Sequence, residues 1–403
     1  MKKSKGTASR LSPRALHPFP ARMAPEIALL ECDRLPKRST ILDPMAGSGT
    51  VIRVAIERGH RASGFDVDPL AVLIASVFTS PIDPTGLTRA ARAVASAARR
   101  RSRRQRSWAA LRMDRDTQRF VRRWFAERQR TELSALAMTL RQSRSRYVDA
   151  MWLAFSSLII TKDKGASLAR DVSHSRPHKT MDENDFDVID NFIRSAKRIS
   201  AQLKNEPPPT GGRVALGDAR HLMTRSHTID AIITSPPYLN AIDYMRGHRL
   251  ALVWMGHSVS SLRMIRSGAI GTEVGLDDAK LAAVARRLLK GRSWRRAPEA
   301  DRRVLQRYLA DMSKVFEQMK RVLKPSGRAV VVIGDSRLRG RPIKNSELIR
   351  AIARSTGFRL VSKRSRRLPS NRRYLPPPED GASQLNTRML TEHVLVFRPR
   401  RAA

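Results

Sequence analysis

Residues 40–50 read TILDPMAGSGT, and this stretch decides the fold of the chain. A short apolar run is followed by a turn with two glycines, and an amphipathic pattern begins at Val51. Because glycine tolerates positive φ and lets the backbone approach a ligand closely, the stretch predicts a strand, a binding turn and a helix in succession. A second predicted strand at residues 62–65, which ends in Asp66, completes a βαβ unit.

Residues 231–238 read AIITSPPY and form the second informative stretch. The apolar residues predict another strand, and the two prolines predict a stiff loop directly after it. That loop carries a serine hydroxyl, backbone carbonyls and one aromatic ring, which together can hold an amine on a planar base. We expect the two stretches, although distant in sequence, to fold to opposite sides of one pocket.

Apolar runs alternate with helical patterns along most of the chain, which predicts a sheet covered by helices on both faces. Further strands are predicted at 213–216, 230–234, 329–333, 359–363 and 392–397. Long helical patterns are predicted at 89–106, 120–141 and 182–203. The predicted fold class is therefore α/β, with a doubly wound, mostly parallel sheet and a helical insertion.

Shifts in composition predict the division of the chain. Residues 1–16 are basic and lack periodicity, which predicts a disordered arm. Residues 17–84 and 213–403 carry the predicted strands and form the main domain. Residues 85–212 form the helical insertion, which is dense in arginine, and residues 257–300 form a second, polar and basic insertion. Both insertions are candidate regions for the recognition of nucleic acid.

The formal net charge is +42, from 78 Lys plus Arg against 36 Asp plus Glu among 403 residues. Solubility requires far less charge, and a polyanionic partner explains the excess. A genomic bias toward arginine would mostly exchange lysine for arginine and leave the net charge unchanged. Nucleic acid is the expected partner, with DNA favoured, and binding should weaken steeply with salt.

Cys32 is the only cysteine, so the sequence excludes a disulfide framework and a thiolate metal cluster, and no metal is expected. The longest apolar runs, at 150–155 and 250–255, are too short to cross a bilayer. The basic N-terminus lacks the apolar stretch of a signal peptide. These features predict a cytoplasmic protein without a membrane partner, and they give no reason to infer an obligate protein partner.

The loops at 43–50 and 235–238 together resemble the cofactor loop and the catalytic loop of the S-adenosylmethionine-dependent amino-methyltransferases that act on DNA bases. This family methylates exocyclic nitrogens of cytosine or adenine. The resemblance implies a Rossmann-like class I methyltransferase sheet whose last strand is antiparallel, and S-adenosyl-L-methionine as the cofactor. Loops that begin with serine resemble the cytosine-N4 enzymes, although the order of the two loops here is the reverse of the commonest cytosine-N4 arrangement.

The same resemblance implies roles for individual residues. The first loop and Asp43 would hold the methionine part of the cofactor, Asp66 its ribose hydroxyls and Asp218 its adenine amino group. Arg22, in the upstream segment 17–23, would meet the cofactor carboxylate or be an ordinary surface arginine. The implied cofactor-binding residues are Arg22, Asp43, Pro44, Ala46, Gly47, Gly49, Asp66 and Asp218.

The implied catalytic residues are those of the second loop, Ser235, Pro236, Pro237 and Tyr238. The lone pair of an exocyclic amine is delocalised into the ring, so hydrogen-bond acceptors beside its hydrogens are needed to localise it. The Ser235 hydroxyl and the Pro236 carbonyl are the candidate acceptors, and Tyr238 would stack on the base. Carbon-5 methylation is excluded, because Cys32 lies outside any Pro-Cys pair.

Several alternatives remain open at this stage. The base could be adenine, methylated at N6, or the substrate could be RNA or tRNA, since relatives of that class share a glycine loop and a similar Pro-Pro-Tyr loop. A third alternative is a catalytically silent protein that binds nucleic acid and keeps the fold.

Overall fold

The computed structural model describes residues 14–19, 22–105, 108–161, 164–170, 177–239, 245–270, 298–338, 341–368 and 391–400. Seven strands form the central sheet: β1 (Thr40–Asp43), β2 (Arg61–Asp66), β3 (Gly212–Leu216), β4 (Ile229–Thr234), β5 (Leu323–Gly334), β6 (Phe358–Arg367) and β7 (Thr391–Pro399). Their order across the sheet is β6-β7-β5-β4-β1-β2-β3. The five adjacent strands β5, β4, β1, β2 and β3 run parallel to one another. Strand β7 is antiparallel to both of its neighbours, β5 and β6.

The described helices are α1 (Pro25–Asp33), α2 (Thr50–Glu57), α3 (Pro69–Thr79), α4 (Pro84–Arg104), α5 (Arg115–Trp124), α6 (Glu127–Gln142), α7 (Val148–Ser156), α8 (Val188–Asn205), α9 (Met245–Met255), α10 (Val259–Gly268), α11 (Glu299–Val322) and α12 (Asn345–Ser355). Aspartate side chains cap the amino ends of α3, α4, α5 and α8 by accepting hydrogen bonds from backbone amides of the first turn. Such caps satisfy amides that have no partner within the helix, which explains where these helices begin.

Both faces of the sheet are buried. Residues 329, 331 and 333 of β5 join the apolar cluster formed with α11 and α12, whereas 330 and 332 join the cluster formed with α1 and α2. This alternation follows from the two-residue period of a strand. Runs that are apolar at every position are typical of parallel strands covered by helices on both sides, so the predicted fold class is confirmed.

The predicted helical insertion contributes α4 to α8, and these helices share one hydrophobic cluster with α3 and α9. The insertion therefore packs directly on elements that lead to the sheet. Leu16, at the end of the predicted arm, is buried in the same cluster. Residues 1–13 of that arm and residues 271–297 of the second predicted insertion lie outside the described residues.

The helical pattern predicted at 89–106 is α4, which begins earlier, at Pro84, where the Asp83 side chain caps it. The other two long helical patterns also have different limits in the structure. The pattern at 120–141 is interrupted at Phe125, which is extended (φ −139°, ψ 133°) and fully buried, so the segment forms α5 and α6. The pattern at 182–203 begins later, at Val188, because the Asp187 side chain accepts a hydrogen bond from the Asp190 amide and caps the helix there. Tertiary burial and capping decided both limits.

Among the described residues, no helix is long and apolar enough to cross a membrane.

Candidate active site

A cleft opens where β1, β2 and β4 end, at the carboxyl edge of the parallel strands. Ligands of open α/β sheets bind at this edge, next to the point where the strand order reverses. Both predicted loops line the cleft. Its lining includes, from the predicted site, Arg22, Asp43, Pro44, Ala46, Gly47, Asp66, Asp218, Ser235 and Pro237. Gly49, Pro236 and Tyr238 are not among the lining residues, and each lies next to one that is.

The glycine turn has the left-handed backbone that the sequence predicts. Gly47 has φ +51° and Gly49 has φ +79°. A Cβ atom on Gly49 would lie 2.8 Å from the Ala75 Cβ of α3, and one on Gly47 would lie 3.2 Å from the Phe19 ring. The positive φ favours glycine at both positions, and at Gly49 the close approach of Ala75 also leaves no room for a side chain. Gly49 brings α2 and α3 together behind the turn, whereas Gly47 faces the cleft.

Asp66, at the end of β2, holds the turn from the opposite side. One carboxylate oxygen accepts a hydrogen bond from the Gly47 amide at 2.8 Å, and the other accepts one from the Asp68 amide at 3.0 Å. A carboxylate has about four acceptor sites, so the two that remain suit a pair of vicinal hydroxyls. Burial, followed by the charge of Asp68, raises the Asp66 pKa to about 6.

Asp43 connects the two predicted loops. Its Oδ1 accepts hydrogen bonds from the Thr234 hydroxyl at 2.7 Å and from the Met45 amide at 3.2 Å. Thr234 directly precedes Ser235, so one buried carboxylate fixes the start of both loops. Burial raises the Asp43 pKa to about 7, even though both hydrogen bonds favour the ionised form.

Arg22 crosses the mouth of the turn. Its guanidinium donates to the Ser48 hydroxyl at 3.1 Å and to the Thr50 hydroxyl at 3.4 Å, and it lies 5.8 Å from the centre of the Phe78 ring. These contacts position a positive charge in the cleft lining. The neighbouring residues 20 and 21 of the predicted segment 17–23 lie outside the described residues.

Asp218 lines the cleft after β3, but its carboxylate is engaged by a neighbour that the sequence did not single out. Arg220 Nε lies 3.0 and 3.1 Å from the two Asp218 oxygens, and Arg220 Nη2 lies 2.6 Å from Oδ2. Arg220 also donates to Asp311 Oδ1 at 2.7 Å. An adenine amino group would therefore meet a carboxylate that already accepts from a guanidinium.

The catalytic loop begins with a hydroxyl of defined orientation. Ser235 donates its hydroxyl proton to the Val332 carbonyl at 3.1 Å, which leaves the oxygen lone pairs available as acceptors. Pro236 is buried, whereas Ser235 and Pro237 are half-buried in the cleft lining. Tyr238 is half-buried against the cluster around α11, and its hydroxyl lies 3.4 Å from Glu392 Oε1. Residues 240–244, which follow the loop, lie outside the described residues.

A buried pair that sequence reasoning missed joins the cofactor side of the cleft to the helix after the catalytic loop. His248 Nδ1 of α9 lies 2.5 Å from Asp68 Oδ2, and the Phe19 ring packs 5.5 Å from the His248 ring. Burial alone would raise the Asp68 pKa, but the charge and hydrogen bond of His248 hold it below its ordinary value. A lone histidine in a helical pattern gave no signal, because its partner lies 180 residues away.

Cys32 is unsuited to be a nucleophile. The thiol is fully buried, and burial raises its pKa to about 12. The thiolate is the reactive form of cysteine, and a thiol with this pKa is almost entirely protonated near neutral pH. This agrees with the exclusion of carbon-5 methylation.

Helix α5 has one positively charged, exposed side. Its arginines Arg115, Arg119, Arg122 and Arg123 are all exposed on the side opposite the buried Thr117, Val121 and Trp124. The buried side packs on α9 and α10, and the Thr117 hydroxyl accepts a hydrogen bond from the Val259 amide at 3.0 Å. Ile265 of α10 and Met245 of α9 line the cleft, so the buried side of α5 packs on two helices that reach it.

Two curated relatives align with parts of the chain. The Type II methyltransferase M.MvaI of Kocuria varians is 33% identical over 78 residues, which is 18% of this chain and 17% of the relative. The Type II methyltransferase M.BsoBI of Geobacillus stearothermophilus is 25% identical over 165 residues, which is 34% of this chain and 32% of the relative. The chain is weakly similar to Type II methyltransferases. It spans a third or less of their length, and no family model matches it.

Solved structures align over more of the chain at lower identity. A TehB-like SAM-dependent methyltransferase from Corynebacterium glutamicum covers 94% of this chain, with 89% of its own chain aligned, 10% identity and a TM-score of 0.31. A SAM-dependent methyltransferase from Methanosarcina mazei covers 92% of this chain, with 97% of its own chain aligned, 8% identity and a TM-score of 0.33. TM-scores of this size say nothing about function. The fold class rests on the order and direction of the strands in this chain.

Proposed function

We propose that the protein is a methyltransferase that transfers a methyl group from S-adenosyl-L-methionine to the exocyclic amine of a base in DNA, and that the position is N4 of cytosine. The observation that carries the proposal is the Asp43–Thr234 hydrogen bond at 2.7 Å. This hydrogen bond joins the glycine turn to the start of the Ser-Pro-Pro-Tyr loop, and both loops line one cleft. Methyl transfer requires the cofactor and the base to meet in such a shared cleft. The weak similarity to two Type II methyltransferases agrees with this assignment.

The cleft residues suit the proposed cofactor. Gly47 exposes the backbone of the turn, and Asp66 keeps acceptor sites for the two ribose hydroxyls. Arg22 brings a positive charge that suits the methionine carboxylate. The cofactor supplies a methyl group that is already activated on a sulfonium. The work of the chain is then to bind, align and desolvate the reacting groups.

Ser235 is the residue proposed to orient the amine. Because its proton is donated to the Val332 carbonyl, its oxygen can accept a hydrogen bond from the amine. Together with the Pro236 carbonyl, it would draw the amine nitrogen toward tetrahedral geometry. Tyr238 is proposed to stack on the base. Serine at the first position of the loop is the reason for preferring cytosine over adenine.

Nucleic acid is the proposed substrate because of the net charge of +42 and the exposed arginines of α5. Helix α5 packs on α9 and α10, which both reach the cleft lining, and its arginines are exposed on the opposite side. Neutralisation of phosphates by such residues releases counterions and dominates affinity. A base in a duplex must leave the stack to reach a cleft of this kind, and contacts to the backbone help to offset that cost. The helical insertion 85–212 is the proposed recognition region.

The test is methyl transfer from labelled S-adenosylmethionine to duplex DNA or to RNA, with the modified nucleoside identified by mass spectrometry. Label in N4-methylcytosine is the expected result. Label in N6-methyladenine would overturn the choice of base, and label in RNA alone would overturn the choice of substrate. If no nucleic acid acquires label although the cofactor binds, the catalytic proposal is wrong. Ser235→Ala and Tyr238→Ala should each remove transfer while the cofactor still binds.

A further inference from the structure

The carboxyl end of α10 forms one wall of the cleft. Ile265, Arg266, Gly268, Ala269 and Ile270 all contribute to the lining. The last carbonyls of a helix have no partner within it, so a helix end in this position needs donors from elsewhere. Two of them are satisfied by arginines from other elements. Arg307 Nη2 of α11 donates to the Ser267 carbonyl at 2.5 Å, and Arg220 Nη2 donates to the Gly268 carbonyl at 2.7 Å.

The two arginines are held in place by carboxylates. Asp311 accepts from Arg220 at 2.7 Å and lies 3.8 Å from Arg307 Nε, while Asp218 binds the other edge of the Arg220 guanidinium. The side chains of Arg220 and Arg307 are each 17% exposed, and that of Asp311 is 9% exposed. Hydrogen bonds between charged groups are stronger than neutral ones, and cations are favoured at a helix carboxyl end.

This network joins three separate parts of the chain at the cleft: the turn after β3, the end of α10 and the middle of α11. Arg220 is itself a lining residue, whereas Arg307 is not among the residues that line the cleft. An effect of Arg307 on a ligand is therefore indirect, through the helix end that it contacts or through Asp311 and Arg220. Because Arg307 does not line the cleft, its replacement tests positioning without removing a direct contact to a ligand in the cleft.

We propose that Arg307 and Arg220 are positioning residues that hold the last turn of α10 as a wall of the cofactor cleft. The inference rests on the proposed function, because S-adenosylmethionine is the ligand whose binding it describes. Without Arg307 the Ser267 carbonyl loses its donor and the wall loosens. Binding then has to order the wall as well as the ligand, and affinity falls.

The test compares two arginines of α11. Arg307→Gln should raise the Kd for S-adenosylmethionine by about 10-fold in calorimetry, as expected for one lost charged hydrogen bond. Arg321→Gln is the matched control. Arg321 is also half-buried and donates to two backbone carbonyls, those of Leu222 at 2.6 Å and Thr224 at 2.8 Å, neither of which belongs to the described lining of the cleft. Arg321 also donates to Ser226 and Gln318, so its variant should lose at least as much thermal stability as Arg307→Gln, and it should keep the wild-type Kd.

Kinetics and hydrogen exchange give further readouts. In turnover, Arg307→Gln should raise the KM for the cofactor and leave kcat at saturation within about two-fold. Arg307→Lys, which keeps the charge but has a less rigid donor, should fall between the wild type and Arg307→Gln, and it decides the matter if the glutamine variant does not fold. In the wild-type chain, saturating cofactor should slow amide exchange at residues 266–269.

Equal Kd values for the wild type and both Arg307 variants would overturn the proposal. An equal rise of the Kd for S-adenosylmethionine in Arg307→Gln and Arg321→Gln would also overturn it. Unchanged exchange at residues 266–269 in the saturated wild-type protein would overturn it as well. These outcomes differ from failure of the proposed function, in which the wild-type chain itself does not bind S-adenosylmethionine.

Discussion

Replacement of Asp43 by asparagine should make the protein more stable at pH 8 while it damages the site. The side chain is 3% exposed, and burial raises its pKa from 3.8 to about 7. At pH values above 7 the ionised form is therefore disfavoured in the folded protein by about 4 kcal/mol. Asparagine is nearly isosteric, carries no charge and keeps an oxygen that can accept from Thr234 and Met45.

The sign of the pH dependence follows from proton binding. A carboxyl group whose native pKa is raised binds its proton more tightly in the folded state, so stability falls as pH rises between 3.8 and about 7. Between pH 5 and pH 8 the wild-type protein should lose about 2–3 kcal/mol through Asp43 alone, whereas Asp43→Asn avoids this loss. Relative to the wild type, the variant should therefore gain about 2–3 kcal/mol over this range.

Urea denaturation of the wild type and Asp43→Asn at pH 5 and pH 8 measures the difference in their free energies of unfolding. Titrating groups that both proteins share contribute equally to both and drop out of this difference. Asp230→Asn is the control, because backbone and Lys324 contacts outweigh burial and keep the Asp230 pKa below its ordinary value. Asp230 is thus ionised at both pH values, and its variant should show a constant difference from the wild type. A constant difference for Asp43→Asn would refute the reasoning. Methyl transfer by Asp43→Asn should fall, because the neutral amide cannot offer a charged acceptor to the methionine part of the proposed cofactor, although it can still accept from Thr234 and Met45.

Further expected outcomes concern the cleft and its surroundings. Ser235→Ala should lower the methyl-transfer rate by about 100-fold or more and leave the cofactor Kd within about two-fold, and retained turnover would contradict its role. Asp66→Ala should raise the cofactor Kd by about 10- to 100-fold in calorimetry, since it loses charged acceptors of the hydroxyls and of the turn; an unchanged Kd would remove the ribose assignment. His248→Gln and Asp68→Asn should be non-additive in stability by about 1 kcal/mol or more in a double-mutant cycle, whereas additive losses would mean that the two groups do not interact. Affinity for duplex DNA should fall by about 100-fold or more between 50 and 200 mM salt, and a flat response would argue against phosphate contacts.

The local features of this chain were determined by its sequence. The stretch at 40–50 contains a strand, a turn and a helix because apolar residues, glycines at positive φ and an amphipathic pattern follow one another there. The apolar runs at 230–234 and 329–333 likewise lie within observed strands. Such predictions succeed because they depend on neighbours a few residues apart.

The tertiary structure alone decided how these pieces meet. Asp43 and Thr234 are 191 residues apart, and Asp68 and His248 are 180 residues apart. No local sequence pattern predicts either contact. The engagement of Asp218 by Arg220, and the closure of α10 by Arg220 and Arg307, likewise required the folded chain. Motif residues can be recognised in the sequence from residue type, glycine and proline positions, and periodicity. The groups that tune and hold them are ordinary aspartates, arginines and histidines, which become distinctive only when burial and packing bring them together.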